Sequence, residues 1–517
     1  MVTLTGHSLT IPDLVKIAYF QEQASLNSQA IEAIKASRRR FVEFAESGKS
    51  IYGVNTGFGI FAEKRISRDE SINLNRNLIF SHALATGNPL PETVVRAAMA
   101  IRINTLAKGA SGIQFEIVET LLDMLNKKVT PIVSSKGSLG SSGDLCLLAQ
   151  IGLVIIGDEK RDEKESGMAL YNGEIVSGKK ALEIAGIKSV VFSYKDGLAL
   201  INGATFSAAI SALQTYEAKE LANMADISTA LSLEALCGSS TAFHPGIHAL
   251  RNLEGQSASA KNISTLIRKS SFIDSSGVLQ DAYSVRCAPQ VHGSVRDTIQ
   301  HAEKIITAEI NAATDNPLMV GEKEIISGGN FHGEPIGMVA DFLSIALTEL
   351  GAISERRIFR LLDEKLSNGL PGMLVDPNSN LGLNSGVMIL QYTAAALVLE
   401  NQTYATPDSI RSLPTSANQE DHNANSFNAA VHLMAIAENT MKVIAIELYC
   451  ASRGLHIRKK MQPELDSGLG TSKIYTIMQD AFPHHLEDVQ WRIDLEKFYE
   501  MLKYPCQFRE TLLSVVN

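Results

Sequence analysis

NSFNAAVHLMAIAENTMKVIAIELYCAS, residues 425–452, reads as one long buried helix. Ala430, Leu433, Met434, Ile436, Ala437, Met441, Ile444 and Leu448 recur at spacings of three and four. That is the apolar stripe a helix turns toward the core of a bundle. No proline interrupts the segment, so no backbone donor is lost inside it. Four more proline-free stretches share its Ala/Leu/Ile/Glu-rich composition: residues 206–236, 294–313, 336–365 and 384–404. Each exceeds the mean helix of about 11 residues. The segments between them carry glycine-rich and polar motifs, so long helices form the scaffold and the reactive groups sit on loops and helix ends. Thr10 ahead of Ile11-Pro12 reads as an N-cap with proline in the first turn. Strand signals are few; residues 160–178 read as a charged loop and a small hairpin. The expected fold class is mainly α, a core of long antiparallel helices with a loop-rich N-terminal part. The expected division is 1–205 for the loop-rich part, 206–453 for the long-helix bundle and 454–517 for a C-terminal helical segment, all within one unit.

Composition narrows the partners. The 517-residue chain is long enough to bury a large core. A net charge of −9 without an extended basic run makes nucleic acid and anionic membranes poor partners. The N-terminus lacks a basic segment leading into an apolar one, and no uninterrupted run reaches the ~18 apolar residues of a membrane span. Cys146, Cys237, Cys287, Cys450 and Cys506 are odd in number and widely spaced, with no CxxC pair. Neither a disulfide framework nor a metal site is expected, and a soluble cytoplasmic protein is the simplest account. No phosphate-binding loop is present, so no nucleotide cofactor is expected. A single tryptophan leaves the core to aliphatic side chains.

The segment GSLGSSGDL, residues 137–145, is where chemistry is densest. Two readings of it stand. In one it is a small-residue loop with a helix N-cap at Ser142 or Asp144. In the other the amide nitrogen of Gly143 folds back onto the carbonyl of Ser141, a closure glycine's torsional freedom allows. Loss of water from that ring and from the Ser142 side chain then leaves an exocyclic methylene, an electrophile that the ordinary side chains lack. In LQDAYSVRCAPQ, residues 279–290, Gln280, Tyr283 and Arg286 fall at i, i+3 and i+6, near one face if the segment is helical. Pro289 is expected to end that turn. A phenol beside a guanidinium suits a substrate with a carboxylate and an abstractable proton, since arginine grips a carboxylate with two prongs. An amphipathic surface turn is the alternative. Glu420 in ANQEDH is either a solvated acid or a partner for an imidazole N–H.

The 137–145 segment resembles the self-processing loop of the aromatic amino acid ammonia-lyases, whose usual form is GSVGASGDLAPL. Other motifs match that family in order: YGVNTGFG (52–59), NLIFSHA (77–83), GLALINGAT (197–205), LQDAYSVRCAPQ (279–290), ATDNPL (313–318), SGGNFHGEP (327–335) and SLPTSANQEDH (412–422). The last looks most like the histidine-acting branch. The resemblance implies a fumarase/aspartase-like helical architecture and a methylidene-imidazolone group, MIO, made from Ser141-Ser142-Gly143. It implies elimination of ammonia from L-histidine to give trans-urocanate. The alternatives are a tyrosine or phenylalanine lyase, an aminomutase of the same family, or an inactive helical paralogue. It also implies a homotetramer with shared active sites.

The same resemblance assigns roles. Tyr52 removes the β-proton, although a phenol near pKa 10 needs a neighbouring charge or hydrogen bond to act as a base. Tyr283 is a base or proton relay, Arg286 the carboxylate anchor and Gln280 a polar pocket residue. Asn202 bonds the prosthetic ring and the substrate amine, Phe331 packs beside the ring, and His82 and Glu420 face the substrate side chain. Read from the residues alone, Tyr52 and Phe331 are packing groups and Asn202 is a turn residue before Gly203. The chain departs from the family pattern at four places. Ser141 replaces alanine, which leaves cyclisation possible because only its carbonyl carbon enters the ring, with its α-carbon attached outside. Cys146-Leu147 replaces Ala-Pro. His292 stands where methionine is usual, and Asn423-Ala424-Asn425 replaces Val-Ser-Met; these two changes bear on substrate identity.

Overall fold

The computed structural model describes residues 1–47, 56, 66–157, 162–321, 324–380 and 382–516. Among them lie nineteen α-helices and nine short strands, the latter in sheets of two or three. The five stretches expected to be long helices appear as Thr205–Ala235, Ala288–Glu309, Glu334–Leu362, Met388–Tyr404 and Ser426–Met461. The fold is helical, as the periodicity requires. Thr10 does cap the first helix, Ile11–Tyr19, accepting the Asp13 N–H at 3.2 Å. The hairpin pairs Met168–Tyr171 with Glu174–Ser177 through Asn172-Gly173, both at positive φ, the backbone a tight two-residue turn demands.

Two boundaries move for physical reasons. Ser426–Met461 runs past residue 452 because its arginines find backbone acceptors. Arg453 Nε donates to the Leu374 carbonyl at 2.8 Å, and Arg458 donates to the carbonyls of Ala235, Ser367 and Asn368 at 2.9–3.1 Å. The expectation that Pro289 ends a turn is corrected: Tyr283–Arg286 stops at Cys287, and Pro289 lies in the first turn of Ala288–Glu309. There a missing N–H costs nothing, because that donor has no helical partner anyway.

The residues fall into two compact units. The first comprises Met1–Tyr216, Ala302–Asp341 and Pro407–Met434; the second Glu217–His301, Phe342–Thr406 and Ala435–Asn517. In the first, the helix Glu92–Ala107 is buried at every residue from 94 to 107. In the second, the carboxylate of Glu447 is fully buried and takes five donors. Arg357 supplies Nε at 2.6 Å and Nη2 at 2.8 Å; Ser228, Ser232 and Ser354 supply hydroxyls at 2.6–2.8 Å. Two helices, Glu334–Leu362 and Ser426–Met461, are long and apolar enough to cross a bilayer, but 72% and 67% of those stretches are buried inside the fold.

Candidate active site

The 137–145 loop packs its Ser142–Asp144 stretch against the segment after the short helix Asp196–Ile201. Gly143 pairs with Gly203: the Asp144 N–H donates to the Gly203 carbonyl at 2.9 Å, and the Gly203 N–H to the Ser142 carbonyl at 3.3 Å. Gly143 has φ +80, and a Cβ there would lie 2.1 Å from the Gly203 backbone. Only glycine fits. The Asn202 amide also donates to the Ser142 carbonyl, at 2.7 Å. Asn202 is placed by Arg102, whose buried guanidinium reaches the carbonyls of Ala199, Leu200 and Asn202 and the Thr314 hydroxyl. A cation at the end of a helix satisfies carbonyls that have no helical donor. Burial lowers the Arg102 pKa to about 10 against the pull of Asp315.

Asp144 caps a helix, but not the one that follows it. Its carboxylate takes the Ser138 hydroxyl at 2.8 Å and, at the start of Thr205–Ala235, the Ser207 N–H at 2.8 Å and hydroxyl at 3.2 Å. The helix Leu145–Ile155 begins without a side-chain cap. Asp144 therefore closes the loop onto a distant helix terminus, where a negative group is favoured. Burial raises its pKa, and those donors oppose the rise.

Glu420 meets this loop. Its Oε1 accepts the Ser142 hydroxyl at 3.1 Å, and its Oε2 accepts the Thr415 hydroxyl at 2.8 Å. Thr415 and Glu420 also exchange backbone hydrogen bonds across a turn in which Ser416, Ala417 and Asn418 all have positive φ. Three successive non-glycine residues in that region cost about 1–2 kcal/mol each. His82 ends the helix Arg68–His82. Its Nδ1 lies 2.9 Å from the Leu78 carbonyl and 3.0 Å from the Ser81 hydroxyl, contacts that fasten the ring to its own helix. Burial lowers the His82 pKa, while the Leu78 carbonyl and the Glu420 charge pull the other way. Phe331 is half-buried in a turn fastened on both sides. The Gly333 N–H donates to the Gly140 carbonyl at 3.0 Å, and the His332 ring stacks on His422 at 6.0 Å.

Ser141, Ser142, Gly143, Asn202, His82, Glu420 and the Phe331 turn thus belong to the first unit. Gln280, Tyr283 and Arg286 belong to the second. There Gln280, Asp281, Arg286 and Cys287 help line a 270 Å³ cavity. The Arg286 guanidinium lies 4.7 Å over the Tyr283 ring, and Tyr283 is 70% exposed. Gln280 precedes the helical turn rather than sharing its face. Tyr52 lies outside the described residues.

His292 is fully buried, its Nδ1 2.8 Å from Asp226, whose other oxygen takes Arg296 at 2.6 Å and Asn262 at 2.9 Å. Burial holds the His292 pKa down. Asn423 and Asn425 are buried and turn their amides to backbone carbonyls: Asn423 to Leu413, Asn425 to Asp408 at 3.1 Å and Arg411 at 2.9 Å. Sequence reasoning did not single out Thr415, Gly203, Ser207 or Arg102. Only the small residue after Asn202 offered a hint, since close backbone approach needs glycine.

The residues fit a prosthetic ring built from residues 141–143. Gly143 sits where no side chain is admitted, and the Ser142 carbonyl is held from two sides. The Asn202 Oδ1 is buried with no partner among the described residues, an acceptor left for a ligand. Among the described residues no three His, Cys, Asp or Glu side chains group as metal ligands.

Comparison with known proteins identifies the family. A sequence model described as aromatic amino acid lyase matches residues 9–480. The chain is 45% identical over 505 residues to the histidine ammonia-lyase of Caldanaerobacter subterraneus subsp. tengcongensis, covering 97% of this chain and 96% of that protein. Among solved structures, histidine ammonia-lyase from Trypanosoma cruzi superposes with a TM-score of 0.89 at 35% identity, covering 100% of this chain and 96% of that one. Tyrosine aminomutase from Streptomyces globisporus superposes at 0.91 and 32% identity, covering 100% and 98%. The loop, its glycine bridge and the extent of these matches lead to one statement: the chain belongs to the aromatic amino acid lyase family.

Proposed function

We propose that this chain is a histidine ammonia-lyase, eliminating ammonia from L-histidine to give trans-urocanate. The observation that carries the histidine reading is Glu420, whose carboxylate stands 3.1 Å from the Ser142 hydroxyl. There it can accept an imidazole N–H or balance an imidazolium charge. The names of the full-length relatives support the same reading.

The methylidene-imidazolone, once formed from Ser141, Ser142 and Gly143 by loss of two waters, supplies an electrophile for the substrate amine. The chain's own groups do the rest. Asn202 holds the Ser142 carbonyl with its amide and offers Oδ1 to the amine. Arg286 presents a planar fork to the carboxylate. Tyr52 takes the weakly acidic β-proton, with Tyr283 as its relay and Gln280 as a polar wall. His82 and Phe331 flank the substrate ring. Positioning and covalent help together lower a barrier that neither bond-breaking step could cross alone.

The assembly we propose is a homotetramer with active sites drawn from more than one chain, which would cover the exposed Tyr283 and Gln280. Its five free thiols suit the reducing cytoplasm.

The test is to assay wild type and Glu420→Gln on histidine, phenylalanine and tyrosine in parallel, with intact mass to count lost waters. Expected are a preference for histidine and a fall of about ten- to hundredfold in histidine kcat/KM in the variant, the worth of a charge-assisted bond. Weak activity on phenylalanine should fall much less. Preference for tyrosine or phenylalanine overturns the histidine assignment; a β-amino acid product identifies an aminomutase.

A further inference from the structure

Glu420 sits in a strained turn, and such turns persist only when their surroundings over-determine them. Three residues do this: Ser141, Asn423 and Asn425. On the far side of the turn the Ser141 hydroxyl accepts the Ala424 N–H at 3.0 Å, both residues buried. This ties the ring-forming loop to the segment that carries Glu420. Next to it the Asn423 amide donates to the Leu413 carbonyl and, at 3.4 Å, to the Thr415 hydroxyl, closing the turn from within. The Asn423 N–H donates to the Ser412 hydroxyl at 2.7 Å. Asn425, itself at φ +50, donates to the carbonyls of Asp408 and Arg411. The segment from 408 to 425 is therefore pinned at its start by Asn425, at its middle by Asn423 and at its end by Ser141. Glu420 hangs from the pinned frame, with one oxygen on Thr415 and the other on Ser142.

We propose that Ser141, beyond giving its carbonyl to the ring, is a positioning residue. Its hydroxyl, with the Asn423 and Asn425 amides, fixes Glu420 against the Ser142 loop. The proposal rests on the reading of Glu420 as the group that meets the substrate. Removing the hydroxyl leaves a buried N–H without an acceptor, and the turn then relaxes away from the loop.

The experiment uses Ser141→Ala, Ser141→Thr and Asn425→Asp in the full-length protein. It reads intact mass, amide hydrogen exchange of peptides spanning 408–425, and histidine kinetics. Ser141→Ala should still lose two waters. Its exchange across 413–425 should rise about tenfold, the worth of one buried donor, while peptides from 205–216 stay unchanged. Histidine kcat/KM should drop by a similar factor, and Ser141→Thr should restore both. In a Glu420→Gln background the same change should add less than twofold, because the pinned group is already gone. Unchanged exchange in Ser141→Ala, or an equal kinetic loss in the Glu420→Gln background, overturns the proposal. If Ser141→Ala does not fold, Asn425→Asp, which keeps the side-chain size but loses both donated hydrogens, decides it by the same exchange readout. If exchange rises while Glu420→Gln leaves histidine turnover untouched, the pinning is upheld and the substrate reading of Glu420 falls.

Discussion

One methyl group at residue 143 is enough to test how the ring-forming loop is built. Alanine there would put its Cβ 2.1 Å from the backbone of Gly203 in a left-handed conformation. Backbone atoms cannot step aside as a flexible side chain can. Gly143→Ala should therefore destabilise the protein by about 2 kcal/mol or more and open the loop. Intact mass should show both waters retained, and nearly all turnover should be lost. Ser142→Ala is the control: it removes the leaving hydroxyl without touching that approach, so its melting temperature should stay near wild type. The sequence marks Ser142, Gly143, Asn202 and Glu420 as residues of reactive chemistry, and the structure brings the four together at one loop. It did not reveal that Asp144 reaches Ser207, or that Gly203 is the partner of Gly143. A single backbone bridge between segments some sixty residues apart leaves no periodic trace. Asn423 and Asn425 were read for their bearing on the substrate, yet their amides turn to carbonyls of their own segment.

At the scale of elements, the long helices were legible because their apolar stripes repeat, and of the eight stripe residues in Ser426–Met461 only Met434 escapes full burial. What the stripe hides is Glu447. A glutamate flanked by Ile446 and Leu448 reads as a surface position, but it joins three helices through Ser228 and Ser232, one turn apart, and through Ser354 and Arg357. Serines at small-residue positions carry no charge to advertise such a role. Glu447→Ala would leave the Arg357 cation buried without its counter-ion, and the expected cost is about 3–5 kcal/mol. Equilibrium denaturation of the variant should lower the midpoint without a change of slope. A loss under 1 kcal/mol would mean that Arg357 finds another partner or water.

For the whole molecule, the second unit leaves apolar side chains in the open. Phe342, Ile345 and Phe359 on one long helix are about 40% exposed, and Ile389, Tyr392 and Leu399 on the next are about 60% exposed. A 710 Å³ cavity walled by Val291, Val295, Phe342 and Ile345 lies on the same unit. Isolated exposed apolar residues are ordinary; rows of them along helices suit the tetramer proposed above. Light scattering on the active enzyme should give the mass of four chains, and a mass of one chain in an active preparation would refute the tetramer.

Four of the five boundaries between the two units fall inside helices: within Thr205–Ala235, Ala288–Glu309, Glu334–Leu362 and Ser426–Met461. This constrains how the gene can be shuffled. Crossovers between relatives are best tolerated in loops, where few packed neighbours change hands. Here an exchange that moved either unit whole would have to sever the hydrogen-bond ladders of four helices, and among the five boundaries only the one after Thr406 offers a loop. Chimaeras of this family should accordingly be assembled by exchanging side chains in place, not by swapping modules.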